Sequence, residues 1–194
     1  MNNSAINVYF SKLESCGISS EVCENIKAKL GDDLYNASYG MKSNDGMAYE
    51  GSMIDISLTK LALFAVKLNE LYPEDIRVDV KSLVKICLLQ HISKSVRYIK
   101  STDTWRINNL GELYKYNQEA PAIGIGLHSM MLAINCGVEF TPEESEAMTV
   151  IDRSEDDNQM KYYSSLLTSI VRQANEMVYH YYRAKNTQKL AKNQ

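Results

Sequence analysis

The amino-acid sequence predicts an all-α fold with a small β-hairpin excursion near residues 105–116. Long stretches place apolar side chains at helical spacing, and three prolines in 194 residues leave those stretches unbroken. The hydrophobic fraction of 45% is ordinary for a globular chain, and the length suits one domain with a sizeable core.

The helical pattern recurs seven times along the chain. It covers residues 4–16, 21–30, 52–72, 80–98, 126–134, 142–152 and 158–183. Gly17, Gly31 and Pro73 are stop signals for the first three of these helices. Residues 32–51 are rich in Gly, Asn and Ser, which is typical of a loop around a short helix.

Cap residues mark the starts of several helices. Ser20 and Asp79 are predicted N-caps, because their side-chain oxygens can accept from first-turn amides. Thr141 is followed by Pro142 and Glu144, and this order is that of a capping box with proline at the first helical position.

A short aromatic-bearing pair of segments predicts the hairpin. Residues 105–108 and 112–116 carry aromatic and β-branched side chains, and residues 109–111 read N-L-G between them. The excursion would extend from an otherwise helical bundle.

Charge is unevenly distributed, although the formal net charge is only -3. Residues 143–157 hold seven acidic side chains against one arginine, and the last twelve residues hold four basic side chains and no acidic one. Opposed poles of this kind can attract each other between subunits, whereas a solvated acidic loop and a frayed basic tail are the simpler interpretation. The low net charge gives no general attraction to nucleic acid, and no nucleic-acid partner is expected.

The cellular location is predicted from the membrane-spanning and secretion patterns of the sequence. The sequence has no apolar run long enough to span a membrane and no signal-peptide pattern at its start. We therefore expect no membrane contact and a cytoplasmic protein, or a virion protein if the source is viral.

Two stretches resemble the metal-binding framework of the HD superfamily of metal-dependent phosphohydrolases. Residues 49–58 read Y-E-G-S-M-I-D-I-S-L and are similar to that family's Y-E-G-G-h-h-E-H-S-L segment, where h is hydrophobic. Residues 88–94 read L-L-Q-H-I-S-K and resemble its L-L-H-D-I-x-K segment. Weaker likenesses follow at residues 124–129, 140–144 and 170–175, so the resemblance spans roughly residues 34–182.

The resemblance implies that nearly every metal ligand has been replaced. The family's ligand positions fall on Ile56, Gln90, His91, Ile125, Ile151 and Asn175. Isoleucine has no lone pair, and the amides of Gln90 and Asn175 offer only neutral oxygens, whereas a hard divalent cation needs several anionic or imidazole donors. The sequence therefore predicts a pseudoenzyme with no cofactor.

Two other functions stay open. A displaced metal site would use donors beside the vacated positions, which are Asp55, His91, His128 and Asp152. A one-residue shift on a helix turns a side chain by about 100°, which argues against that phosphohydrolase. A metal-free regulator that senses nucleotides would hold phosphate through Lys94, Arg97 and Arg172.

The preferred hypothesis is a non-catalytic interaction or structural protein that forms a homo-oligomer, with a phage virion or its assembly as one setting. Three tyrosines near the end of the chain are candidate contact residues, namely Tyr179, Tyr181 and Tyr182. The predicted organisation is an N-terminal helical extension over residues 1–31, an HD-like domain over residues 32–184 and a basic flexible tail over residues 185–194.

Overall fold

The computed structural model describes residues 3–152 and 164–192, and the fold is mostly helical with one small two-stranded sheet. The predicted fold class is therefore confirmed. The helices are α1 Asn3–Ser15, α2 Ser20–Asn36, α3 Ser52–Ile56, α4 Ala62–Glu70, α5 Val80–Leu89, α6 Lys94–Arg97, α7 Thr104–Leu110, α8 Ile125–Ile134, α9 Pro142–Thr149 and α10 Leu166–Lys192. None of these helices, within the described residues, is long and apolar enough to cross a membrane.

Local capping chemistry sets two helix starts as predicted. The Asp79 side chain accepts from the Ser82 amide at the start of α5. Thr141 and Glu144 form both bonds of the capping box at α9, with Pro142 in the first turn. The cap of α2 is Ser19 and not Ser20, because the Ser19 hydroxyl accepts from the amide of Val22.

Gly31 bends α2 but does not end it. Its backbone has φ 46° and ψ −132°, a left-handed conformation that favours glycine, and the helix resumes beyond it to Asn36. The predicted end at residue 30 is therefore a kink.

The third predicted helix contains a wider turn. Residues Ser57–Leu61 form a π-helical turn between α3 and α4. Such a turn inserts one extra residue, which shifts the helical face that meets the core. Ile54 and Ile56 before the turn, and Leu61 and Ala65 after it, are all buried.

The predicted first arm of the hairpin is wrong. Residues Thr104–Leu110 form α7, because the Asp103 side chain caps the first turn and Gly111 ends the helix with φ 63°. The two strands are β1 Tyr98–Lys100 and β2 Tyr114–Tyr116, which pair antiparallel with Tyr98 opposite Tyr116. The second strand lies within the predicted one.

The terminal helices both join the central core. Tyr9 of α1 is buried and its hydroxyl donates to the Leu88 carbonyl of α5 over 2.8 Å. That carbonyl is at the end of α5, where the amide of Ile92 bonds to Leu89 instead of continuing the helix. Helices α1 and α2 therefore share one core with the other described helices.

Helix α10 is the longest and packs against α4 and α9. Its buried face carries Ile170, Val171, Ala174 and Val178. The helix continues to Lys192, so the predicted end at residue 183 is wrong, and the predicted start at residue 158 lies outside the described residues.

A buried ion pair joins α5 to α9. Lys85 Nζ lies 2.5 Å from Glu144 Oε2, and the two side chains are 12% and 3% exposed. The ammonium group also donates to the Glu139 carbonyl and lies over the ring of Phe140. Because Glu144 is also part of the capping box, its charge is compensated on two sides.

Replacing Lys85 with methionine removes the only strong positive charge in contact with Glu144 among the described residues. We expect Lys85→Met to lower the free energy of unfolding by about 2–4 kcal/mol, since a buried carboxylate is left without its partner. Urea denaturation at pH 7 measures this. The matched control Lys67→Met breaks the exposed Lys67–Glu70 pair and should change little; equal losses in both variants would contradict the account.

Candidate functional site

The turn between α5 and α6 places two polar side chains inside the protein. Helix α5 ends at Leu89, and residues 90–93 form turns before α6 begins. Gln90 is fully buried there and His91 is 4% exposed. Burial of such groups is costly unless each polar atom finds a hydrogen-bond partner.

Asn175 of α10 completes a hydrogen-bond network with these two residues. Its Nδ2 donates to Gln90 Oε1 over 2.7 Å, and its Oδ1 lies 2.9 Å from His91 Nε2. Gln90 Nε2 in turn donates to the Ala147 carbonyl of α9 over 3.0 Å. The network therefore connects the α5–α6 turn to both α9 and α10.

Backbone carbonyls fix the orientation of both amides. Asn175 Nδ2 also donates to the Val171 carbonyl, and Gln90 Nε2 donates to Ala147, and a carbonyl can only accept. Asn175 Oδ1 must then be the atom that faces His91. Because that oxygen has no proton, His91 Nε2 carries the hydrogen, and His91 Nδ1 is a lone pair without a partner among the described residues.

Tyr39 closes the network from the loop after α2. Its hydroxyl lies 2.8 Å from His91 Nε2 and 3.3 Å from Asn175 Oδ1, and its ring is tilted against the imidazole with the centroids 4.6 Å apart. Ser52 positions this loop, because its hydroxyl accepts from the Tyr39 amide and donates to the Met47 carbonyl, each over 2.7 Å. The side chains of Tyr39, Gln90, His91 and Asn175 are hereafter the polar core network.

The polar core network is electrically neutral. Burial holds the pKa of His91 well below its usual value, and the nearby ammonium group of Lys94 lowers that pKa further. Burial also lowers the pKa of Lys94 to about 7. Lys94 Nζ donates to the Tyr39 carbonyl over 2.7 Å and lies 3.7 Å from the centre of the Tyr39 ring.

This donor set does not fit a hard divalent cation. The side-chain oxygens of Gln90 and Asn175 already accept hydrogen bonds, and the nitrogen of His91 that faces them carries a proton. Ile56 is fully buried hydrocarbon. The network contains no anionic side chain to compensate a divalent charge, which metal centres of this kind need.

The candidates for a displaced metal site do not come together. No three His, Cys, Asp or Glu side chains of residues 3–152 and 164–192 form a group that could hold one ion. Asp55 accepts from the Tyr49 hydroxyl, and His128 is buried with Nδ1 unpartnered in the described chain. The Asp152 carboxylate accepts from two amides at the start of α8, those of Gly126 and Leu127, over 2.9 and 2.7 Å.

Two of the three cations predicted to hold phosphate already bond inside the protein. Lys94 and Arg97 are buried and donate to backbone carbonyls, Lys94 to Tyr39 and Arg97 to Ile123. Arg172 lies half-buried on α10. Because Lys94 and Arg97 already bond to backbone carbonyls, these two side chains have little capacity left for a ligand phosphate.

The tyrosine cluster divides between surface and core. Tyr179 and Tyr181 are exposed, whereas Tyr182 is buried. Tyr181 contacts the ring of Phe64 on α4, with the centroids 6.0 Å apart. Lys60 lies over the same tyrosine ring at 5.0 Å.

A polar groove of about 510 Å³ lies beside this cluster, hereafter the α10 groove. It is formed by the loop before α3, the π-helical turn and the second half of α10. Its lining residues are Gly46, Tyr49, Asp55, Thr59, Lys60, Tyr182, Lys185 and Asn186. The sequence signalled Asp55 and Tyr182 individually but gave no indication that they share a groove.

Neither a protein-family model, nor a curated protein, nor a solved structure matches the chain. The resemblance to the HD superfamily therefore stays a prediction.

Truncating Asn175 tests the polar core network. Asn175→Ala leaves the polar atoms of Gln90 and His91 without their partner, and we expect a loss of about 2–4 kcal/mol in the free energy of unfolding. Asn109→Ala is the matched control, because Asn109 is exposed and donates only to the Trp105 carbonyl. Chemical denaturation measures the free energy of unfolding of both variants. Similar small decreases in the two variants would show that the polar core network does not stabilise the fold.

Lys94 should make stability depend on pH. Its pKa is about 7 in the folded protein and near 10.5 in the unfolded chain, so the unfolded state binds more protons between these values. Burial of the charged Lys94 amine destabilises the fold fully below pH 7. This destabilisation decreases as the buried amine loses its proton, so the free energy of unfolding should rise from pH 7 to 9. In Lys94→Met this rise should disappear, while the exposed control Lys115→Met keeps it. Urea denaturation at pH 7, 8 and 9 measures the slopes, and an unchanged slope in Lys94→Met would count against burial of the amine.

Proposed function

We propose that this chain is a non-catalytic interaction or structural protein, built on an HD-like helical framework, and that it functions as a homo-oligomer. The polar core network is the observation that carries the non-catalytic part. The resemblance expects metal ligands at Gln90, His91 and Asn175, and Asn175 lies within hydrogen-bonding distance of both of the others. Their proximity supports a common framework, and their neutral, mutually bonded chemistry supports the loss of metal-dependent hydrolysis.

The surface supports a role in protein contacts. Helix α8 contains no aspartate, glutamate, lysine or arginine. Leu127, Met131 and Ile134 lie on one face of this helix, and 38–51% of their surface is exposed. Apolar, methionine-bearing surfaces depleted of charge are typical of interface centres. Tyr179 and Tyr181 add exposed aromatic area on α10.

Oligomerisation is consistent with the opposed charges of the chain. The described end of α10 is basic, whereas residues 143–157 are strongly acidic. A chain with both an acidic and a basic region can bind a second copy, because the acidic region of one copy attracts the basic region of the other.

Native mass spectrometry tests both parts of the proposal in one measurement. At micromolar concentration we expect a mass of two or more times the 22.0 kDa of one chain, with no added divalent ion per chain. A strictly monomeric protein would contradict self-assembly. A chelator-sensitive ion on every chain, together with turnover of a phosphate ester that EDTA abolishes, would contradict the non-catalytic role; Asp55→Ala and His91→Ala would then locate the ion.

A further inference from the structure

The α10 groove carries two ammonium groups without carboxylate partners. Lys60 comes from the π-helical turn and Lys185 from α10, and neither forms an ion pair with a described acidic residue. Both ammonium groups lie near the ring of Tyr181, at 5.0 and 5.9 Å from its centroid, so one aromatic group contacts both cations.

The one carboxylate in the groove is engaged by neutral donors. The Asp55 carboxylate accepts from the Tyr49 hydroxyl over 2.5 Å, and the Thr59 hydroxyl lies 3.5 Å from its other oxygen. The lining therefore keeps a net positive charge while offering hydroxyl groups and the amide of Asn186 as hydrogen-bonding groups. This chemistry suits a short acidic peptide better than an enclosed apolar ligand, because small-molecule pockets are mostly apolar and surround most of their ligand.

The chain itself contains a matching segment. Glu155, Asp156 and Asp157 are three consecutive acidic residues, and they lie outside the described residues. Two of the other acidic side chains of residues 143–157 already have partners, since Glu144 bonds to Lys85 and Asp152 bonds to the amides at the start of α8.

Resting on the proposed homo-oligomer, we propose that the α10 groove of one copy binds the acidic residues 155–157 of another copy. The contact joins two different surfaces, so repetition of it around an axis closes a ring or extends a filament. Each surface ion pair contributes little by itself, and the contact is therefore weak, salt-sensitive and strengthened by repetition.

Chain length argues for a second copy over the same one. The described residues on either side of the acidic segment are held in the fold: Asp152 accepts from an amide at the start of α8, and the Ser165 amide donates to Glu146 of α9. Lys185 lies twenty residues along the sequence from Ser165, which is about 30 Å of helix. To bring Asp157 of the same copy to Lys185, the eight residues from Asp157 to Ser165 would have to run fully extended, about 27 Å, along that helix, whereas a second copy needs no such extension.

A charge-swap experiment tests this contact. Lys60→Glu/Lys185→Glu should weaken self-association at least tenfold, and so should Asp156→Lys/Asp157→Lys, because each leaves like charges facing one another. Mixing the two variants should restore assembly, since each groove then meets a segment of opposite charge. Analytical ultracentrifugation at 50 and 500 mM NaCl measures all four samples, and wild-type assembly should dissociate at the higher salt.

The control Lys81→Glu/Lys115→Glu makes the same change in net charge at exposed lysines away from the groove. If the wild type assembles and the groove variant behaves like this control, the groove contact is overturned while the homo-oligomer stands. If the wild type is monomeric throughout, both proposals fail. If inorganic phosphate raises the melting temperature of the wild type alone, and the mixed variants do not assemble, the groove is a small-anion site and the segment contact is wrong.

Discussion

The rest of the structure depends on the hydrogen bonds of four polar side chains that meet at one point, three of them buried and the fourth, Asn175, half-buried. Tyr39, Gln90, His91 and Asn175 come from distant parts of the sequence, and each leaves buried polar atoms unpaired if its neighbours move. The carbonyls of Ala147 and Val171 fix which way the amides face. A network of this kind stabilises the fold only when it is complete, so it also specifies how α9, α10 and the α5–α6 turn pack together.

Neutrality connects this packing to the proposed function. A metal centre of the resembled family would hold a divalent charge with anionic and imidazole ligands, whereas here amides bond to one another and to a neutral histidine. Lys94 sits beside the network and its pKa is lowered by burial, which adds a cost that a nearby carboxylate would have removed. The converging polar side chains of Gln90, His91 and Asn175 thus hold helices together through hydrogen bonds.

Local signals in the sequence were sufficient for the helix starts at Asp79 and Thr141, because capping needs only residues within one turn. The sequence signals failed for α7. Its aromatic residues predicted a strand, but the segment is a helix whose first turn is capped by Asp103. Gly31 has the conformation of a helix stop, yet tertiary packing continues the helix beyond it.

The site was only partly predictable. Gln90, His91 and Asn175 were singled out through the family resemblance, which spans roughly residues 34–182 and so assigns positions that are distant in the sequence. Tyr39 was missed, because the bonds of Ser52 that position its loop are tertiary and leave no periodic signal. The α10 groove was missed for the same reason, since Lys60 and Lys185 lie on separate helical segments that only the fold brings to one tyrosine ring.

The central claim is that His91 is a neutral, hydrogen-bonded member of the network and not a metal ligand. Nitrogen-15 NMR of the imidazole groups tests it directly, because the chain has only three histidines to assign. We expect the His91 signals to show a neutral ring protonated at Nε2, to stay constant between pH 8 and 5.5, and to be unaffected by Mn²⁺. A His91 ring that titrates near its ordinary pKa, or signals that broaden selectively with stoichiometric Mn²⁺, would contradict the account.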